Sequence, residues 1–256
     1  MTSNEPSPSM DPSRESTSAE SATSVKGDGR TRFQAPANPI RWAILTAFVV
    51  GIVAGGIGET EAVKFKPALT TISIPGSTYQ GPSSNTRRAA QIKEVALRSA
   101  LLGGMLGLGV GLAGGFARRS GLTAILGATI GLIVGGGLGS AVAWPVLSLY
   151  LDAEDAGPGE LLRSVLMHLG LWLPIGVAAG LALGLGEPRR IPAAVLGGLV
   201  GVALATIAYE ILGSIVYPLA ETGGPVALEW QPRLLATLLV AVGAAGGAAA
   251  LVRSSK

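Results

Sequence analysis

Two residues stand out as able to do acid–base chemistry in a place where chemistry is expensive. Glu210 lies well inside one apolar stretch of the chain, and the only histidine, His168, lies inside another. An acid at the centre of a membrane helix costs about 2.5–3.5 kcal/mol on insertion scales, so intramembrane carboxylates often mark proton or solute paths. A carboxyl buried there without a cation holds its proton more tightly and can load and release it. Thr206, Glu210 and Ser214 follow at four-residue steps, with Tyr217 three further on, so a helix carries all four on one face. The candidate intramembrane polar site is therefore Glu210, His168, Thr206 and Ser214. Each has a plainer reading. Glu210 can reach outward to water, or accept hydrogen bonds from His168, Tyr209, Arg98, Arg163 or Arg233 and simply fix a bundle. A lone helical histidine is ordinarily a packed, hydrogen-bonded residue, and Trp172 one turn on is most simply a gap-filler opposite small residues.

Other chemistries are excluded by what is missing. One histidine and no cysteine cannot build a zinc site of the usual kind, so no metal and no cofactor is expected. Gly135, Gly136 and Gly137 are not followed by Lys-Ser/Thr and lie in an apolar run, which rules out a phosphate-cradling loop. Neither H-E-x-x-H nor G-x-S-x-G occurs. Ser140, Ser148 and Ser214 have only His168 as a conceivable base, so no serine nucleophile is supported and no catalytic residue is assigned. A net charge of +3, carried by arginines at segment ends, is no phosphate-tracking face, and nucleic acid is excluded as a partner.

The elements that must position these residues are membrane helices. Hydrophobic residues make up 48% of the chain and charged ones 14%, well below the quarter usual in soluble domains. Crossing a hydrocarbon core of about 30 Å takes about 20 apolar residues. Six stretches qualify, near 40–58, 95–116, 122–150, 164–186, 191–218 and 234–252. Glycine recurs in them every four residues: Gly103, Gly107, Gly111 and Gly115; Gly127, Gly131, Gly135 and Gly139; Gly176, Gly180 and Gly184. At 3.6 residues per turn each set forms a stripe without side chains, into which another helix can press its backbone. In water each glycine would cost about 1 kcal/mol relative to alanine, but in lipid the backbone has only itself to bond and the helix forms. The fold class is an all-α membrane protein, a six-span helical bundle with glycine-stripe packing.

Residues 1–38 are dominated by Ser, Thr, Pro, Asp and Glu and read as a disordered tail, leaving 39–256 as the transmembrane domain. No signal-peptide pattern precedes the first span, which reads as uncleaved. Arg118, Arg119, Arg189 and Arg190 occupy short loops on the same side as Lys26, Arg30, Arg32 and Arg41 before span one and Arg253 and Lys256 after span six. Lysine and arginine in short loops set orientation, so both termini are expected in the cytoplasm, with the cell membrane as the location. Opposite loops carry Asp152, Glu154, Asp155, Glu160, Glu221 and Glu229, flanked by Trp144, Tyr150, Tyr217 and Trp230. The external loop 59–94 holds Lys64, Lys66, Arg87, Arg88 and Lys93 against that rule, but longer loops cross despite such charge. Within it, Ala68–Ile74 is strand-like, Gly76–Asn85 is turn-rich, and a helix from Asn85 leads into span two.

Aligning Leu97-Arg98-Ser99 with Leu162-Arg163-Ser164 superimposes span two on span four. An arginine pair, a long helix and a Leu-Gly-Ser follow each, ending before Pro145 or Pro218. Two parallel hairpin repeats are expected, with Pro232-Arg233-Leu234 as the start of a weaker third. The repeat breaks where Gly103 and Gly107 become His168 and Trp172 and Gly109 becomes Pro174. Proline frees the carbonyl of Gly170, so Pro174 is a candidate hinge and the outer half of span four should stand off its neighbour. Span five, with polar and glycine stripes on opposite sides, is expected to be the least lipid-exposed.

The alternation of glycine-rich helices, basic inner turns and one late carboxylate resembles the duplicated proteolipid hairpins of rotary proton pumps. Six spans, a long tail, an external loop and an off-centre acid depart from that pattern, and no residue role is carried across. The first functional expectation is a non-enzymatic assembly or scaffold protein of the lipid bilayer, partnered by a second copy or another membrane protein through an unused glycine stripe. The alternative is a small-solute or proton-linked transporter with an outer-half cavity near Glu210 and His168.

Overall fold

The structure is a computed structural model that describes residues 39–75, 77–153, 160–185 and 187–254. The expected tail, with Lys26, Arg30 and Arg32, and the loop acids Glu154 and Asp155 lie outside the described residues, as does Lys256. Six helices follow in order: α1 (Pro39–Gly58), α2 (Ser84–Ala117), α3 (Gly121–Ala153), α4 (Glu160–Gly184), α5 (Ile191–Val216) and α6 (Trp230–Ser254). All six are long and apolar enough to cross a membrane. By that measure the chain is a multi-pass membrane protein.

The helix expected from Asn85 runs without a break into span two, so α2 is 34 residues long, about 50 Å at 1.5 Å per residue. That exceeds the hydrocarbon thickness, so its amino-terminal turns project past it. Ser83 caps it, its Oγ accepting from the Thr86 amide at 3.3 Å. Further along, Arg88 donates to Asp152 Oδ1 at 2.7 Å and to the Ser148 carbonyl at 3.0 Å, tying the start of α2 to the end of α3. The strand-like segment is β1 (Leu69–Ile74), antiparallel to β2 (Ser77–Pro82) with Ile72 opposite Tyr79. β2 occupies the stretch read as turn-rich. Its composition is that of a loop, and the ladder to β1 makes it a strand.

α4 lies at the centre, against α2, α3, α5 and α6, while α1 closes the ring between α2 and α6. The interior is built from Leu106, Val110, Ile175, Val202 and Val240 with a run of buried alanines on α6. Glycines line the contacts between helices. A Cβ at Gly103, Gly107 or Gly111 would strike the backbone of Gly135, Gly131 or Gly127 on α3, and one at Gly115 would strike Ala124. Gly139 faces the Ser99 carbonyl. Between α4 and α5, Gly176 meets Gly198, Gly180 meets Ala194 and Val195, and Gly184 meets Ile191. Between α5 and α6, Gly197 meets Gly247 and Gly201 meets Gly243. Lipid offers no hydrophobic drive for helices to associate, so van der Waals contact at such short range is what holds them.

The expectation that α5 is the least lipid-exposed helix is corrected: α2 and α4 are the more enclosed. Its polar and glycine faces are both buried, but they do not cover the circumference of a helix. Leu204, Ile211 and Ile215 lie on a third face at the bundle surface.

Candidate functional site

Glu210 is buried, and one of its oxygens is met from α4. Ser164 Oγ donates to Glu210 Oε1 at 2.7 Å, and His168 Nδ1 lies 2.5 Å from the same oxygen. Ser164 and His168 are four residues apart on one helix, so they share a face and converge on one acceptor. Only 3% of Ser164, 2% of His168 and 5% of Glu210 is exposed, so this polar trio is satisfied internally rather than by water. An ionised carboxylate can only accept, so with Glu210 ionised the Nδ1 carries the proton and donates it. That leaves Nε2 as the ring's other face.

One turn on, Trp172 stacks on the His168 ring, centroids 4.5 Å apart and planes at 21°. Tyr209 stands edge-on to both, at 5.3 Å from His168 and 5.4 Å from Trp172. Such offset and edge arrangements match the quadrupoles of the rings and hold them rigidly. Where α2 carries Gly103 and Gly107 against the backbone of α3, α4 thus carries a stacked imidazole and indole against α5. Close glycine contacts between α4 and α5 resume only at Gly176, while Gly170 faces Val146 of α3. Pro174 sits between the two regimes, inside an α4 that remains helical throughout.

The other two expected members stand apart. Thr206 is fully buried, but its Oγ1 donates to the Val202 carbonyl at 2.9 Å and is satisfied within its own helix. Ser214 is exposed and donates to the Ile211 carbonyl at 3.0 Å. Ser164 is the partner that sequence reasoning missed. Its signal was its place four residues before the only histidine.

A cavity of about 80 Å³ opens beside this trio. A water needs some 10–15 Å³ of such space, so the cavity holds several waters or a small solute. His168, Trp172 and Tyr209 form one wall, and Glu210 lies behind His168. Val95, Arg98, Ser99 and Leu102 of α2 form another, with Arg233 and Thr237 of α6 opposite. Ala54, Gly55 and Gly58 contribute the end of α1, and Pro225–Ala227 close over from the α5–α6 connection. α3 takes no part among these lining residues.

The end of α1, the start of α6 and the body of α2 deliver a charged collar to this cavity. Glu59, the residue after α1, receives Arg233 Nε at 2.7 Å on Oε1 and Arg233 Nη2 on Oε2, a two-toothed fork. Arg98 Nη1 reaches the same Oε1 at 3.3 Å, and Arg98 Nε donates to Glu94 at 3.1 Å. Arg233 Nη1 is taken by the Ala227 and Leu228 carbonyls, at 3.0 and 3.2 Å, which ties the closing segment to α6. Arg98 Nη2 lies 3.0 Å from Glu94 Oε1 yet makes no aligned hydrogen bond. Arg98 and Arg233 therefore serve Glu59 and not Glu210.

Burial works against ionisation of Glu59, but the hydrogen bonds and charge of Arg233, with those of Arg98, outweigh it and hold its carboxyl below the ordinary value of 4.5. A carboxyl more acidic in the folded state stabilises that state at neutral pH, and the stabilisation is lost as pH falls through the lowered value. Melting of the detergent-solubilised protein should therefore fall toward acid below the ordinary glutamate range, and Glu59→Gln should flatten that limb. An unchanged acid limb in Glu59→Gln would show that other carboxylates govern it.

No family model matches the chain, and neither curated proteins nor solved structures match it significantly. Its site is thus read from the geometry of these side chains: a buried histidine–glutamate–serine trio beside a small cavity ringed by two arginines and a glutamate.

Proposed function

We propose that this chain is a non-enzymatic membrane transporter that admits a small solute to the cavity beside His168 and couples its passage to a proton held by the His168–Glu210 pair. The observation that carries the reading is the position of His168. One ring nitrogen faces Glu210 at 2.5 Å while the residue itself walls the cavity. A proton entering from the cavity can be taken at Nε2 and given up from the side facing Glu210, because an imidazole has two distinct nitrogens. Glu210, out of direct reach of the cavity, acts as the internal store.

In this reading the glycine stripes build a rigid frame of two parallel hairpin repeats, α2–α3 and α4–α5, with α6 and α1 as a looser third. The replacement of Gly103 and Gly107 by His168 and Trp172 in the second repeat is what opens room at one end. Both termini lie in the cytoplasm, so the cavity belongs to the outer half, and the lipid bilayer is the protein's surroundings. The assembly reading is the weaker one. It wanted an unused stripe for a second copy, and the four-residue stripes meet neighbours within the same chain. Gly56, Gly121 and Gly137, whose Cβ positions are open, do not form a four-residue stripe.

The test is reconstitution of the full chain into liposomes containing a pH-sensitive dye, challenged with small anions, cations and neutral solutes. Wild type should move protons with one of these classes, and Glu210→Gln should abolish proton movement while retaining most of the detergent stability. Absence of any solute-dependent proton movement in wild type, together with a stable oligomer on crosslinking in membranes, would return the protein to an assembly role.

A further inference from the structure

Resting on the cavity reading just given, we propose that the solute is a small organic monocarboxylate, which takes the place of Glu59 between Arg98 and Arg233. The collar already holds a carboxylate in this geometry. Glu59 is engaged by the fork of Arg233 and by Nη1 of Arg98, and it stands on the residue just after α1 rather than on one of the central helices. A carboxylate brought in from outside offers the same two oxygens to the same donors. Guanidinium groups present their N–H bonds in a planar fork that matches this shape and no cation.

Charge counting selects a monoanion. With Glu59 withdrawn, Glu94, 3.0 Å from Arg98 Nη2, is the carboxylate left paired with the two arginines among the described residues, and the collar counted so carries one uncompensated positive charge. A single carboxylate restores neutrality, whereas a dianion would overshoot and a cation would double the excess. Arg98 also gains, because its Nη2 lacks an aligned acceptor while Glu59 is in place.

The walls select an organic anion over an inorganic one. At about 1.5 Å per residue, Leu102 lies about 6 Å further along α2 than Arg98, and Ile175 lies about 10 Å further along α4 than His168. Leu102, Leu171 and Ile175 thus extend the cavity away from the collar in apolar side chains. A head group between the arginines leaves a short hydrocarbon tail against these residues. The volume of about 80 Å³ restricts that tail to a few carbons.

The experiment uses the full-length chain in detergent and in proteoliposomes, with propionate, its uncharged isostere propionamide, propylammonium and chloride as probes. Propionate should raise the melting temperature of wild type in a saturable manner and enter proteoliposomes. Propionamide, propylammonium and chloride should do neither. Arg233→Lys keeps the charge but loses the fork, and it should weaken propionate binding by tenfold or more. Glu59→Gln removes the internal competitor's charge and should tighten it, an effect that a purely structural Glu59 would not produce. Should Glu59→Gln fail to fold, the wild-type comparison of propionate with propionamide still decides the matter. Equal stabilisation by propionamide or chloride, or transport of propylammonium instead, would overturn the monocarboxylate while leaving a transporter. No binding and no uptake of propionate would overturn the monocarboxylate, and only the absence of solute-dependent proton movement with every class of solute would overturn the transporter as well.

Discussion

Gly107→Ala is expected to destabilise the detergent-solubilised bundle strongly, at the upper end of the roughly 1–3 kcal/mol typical of overpacking or beyond it. A Cβ at Gly107 would land on the carbonyl carbon and oxygen of Gly131, and Gly131 would in turn be pressed from Gly107's side. Backbone cannot swing aside as a side chain can, so α2 and α3 must separate along their length. Alanine gains about 1 kcal/mol of intrinsic helix propensity over glycine, which offsets only part of this cost. Gly137→Ala is the matched control, since nothing lies within 4 Å of its Cβ position. Its melting temperature should equal or slightly exceed that of wild type. Equal melting of the two variants would mean that the α2–α3 contact is not the close one described.

Glu210→Ala should cost roughly 3 kcal/mol, combining a buried hydrogen bond left unmade at about 1–3 kcal/mol with the void left by the side chain. His168 Nδ1 and Ser164 Oγ both lose their acceptor and are left only with each other, at 3.4 Å. Glu210→Gln keeps shape and one acceptor oxygen, and interhelical hydrogen bonds in membranes average only about 0.6 kcal/mol, so its cost should be near that figure. The two variants therefore separate packing from proton chemistry: alanine damages both, glutamine only the second. Ser214→Ala, on the same helix but exposed, should change neither stability nor transport. A Glu210→Gln protein as unstable as Glu210→Ala would place the whole role of this acid in the charge it buries.

The way Glu210 and His168 stood out in the sequence also explains why their surroundings did not. A lone acid and a lone histidine in apolar runs violate the solvent's preference, and violations of that kind are visible one residue at a time. Ser164 violates nothing, and only the meeting of α4 with α5 reveals it as a partner of Glu210. Thr206 and Ser214, expected to join Glu210, each satisfy their hydroxyl on a carbonyl of their own helix, an option that spacing alone does not rank. Glu59 and Arg233 are 174 positions apart and join only because the end of α1 and the start of α6 meet at one end of the bundle.

What the sequence by itself determined is the set of membrane-length helices and the positions where backbones can approach. Hydrocarbon forces every apolar run of sufficient length to satisfy its own hydrogen bonds, and a missing side chain is a local property. Which glycine meets which, which face of α5 is left at the surface, and that two arginines and a glutamate close a ring beside the histidine were decided by tertiary structure alone. Those outcomes depend on how six similar cylinders share one interior, and periodicity along a single cylinder carries no information about its neighbours.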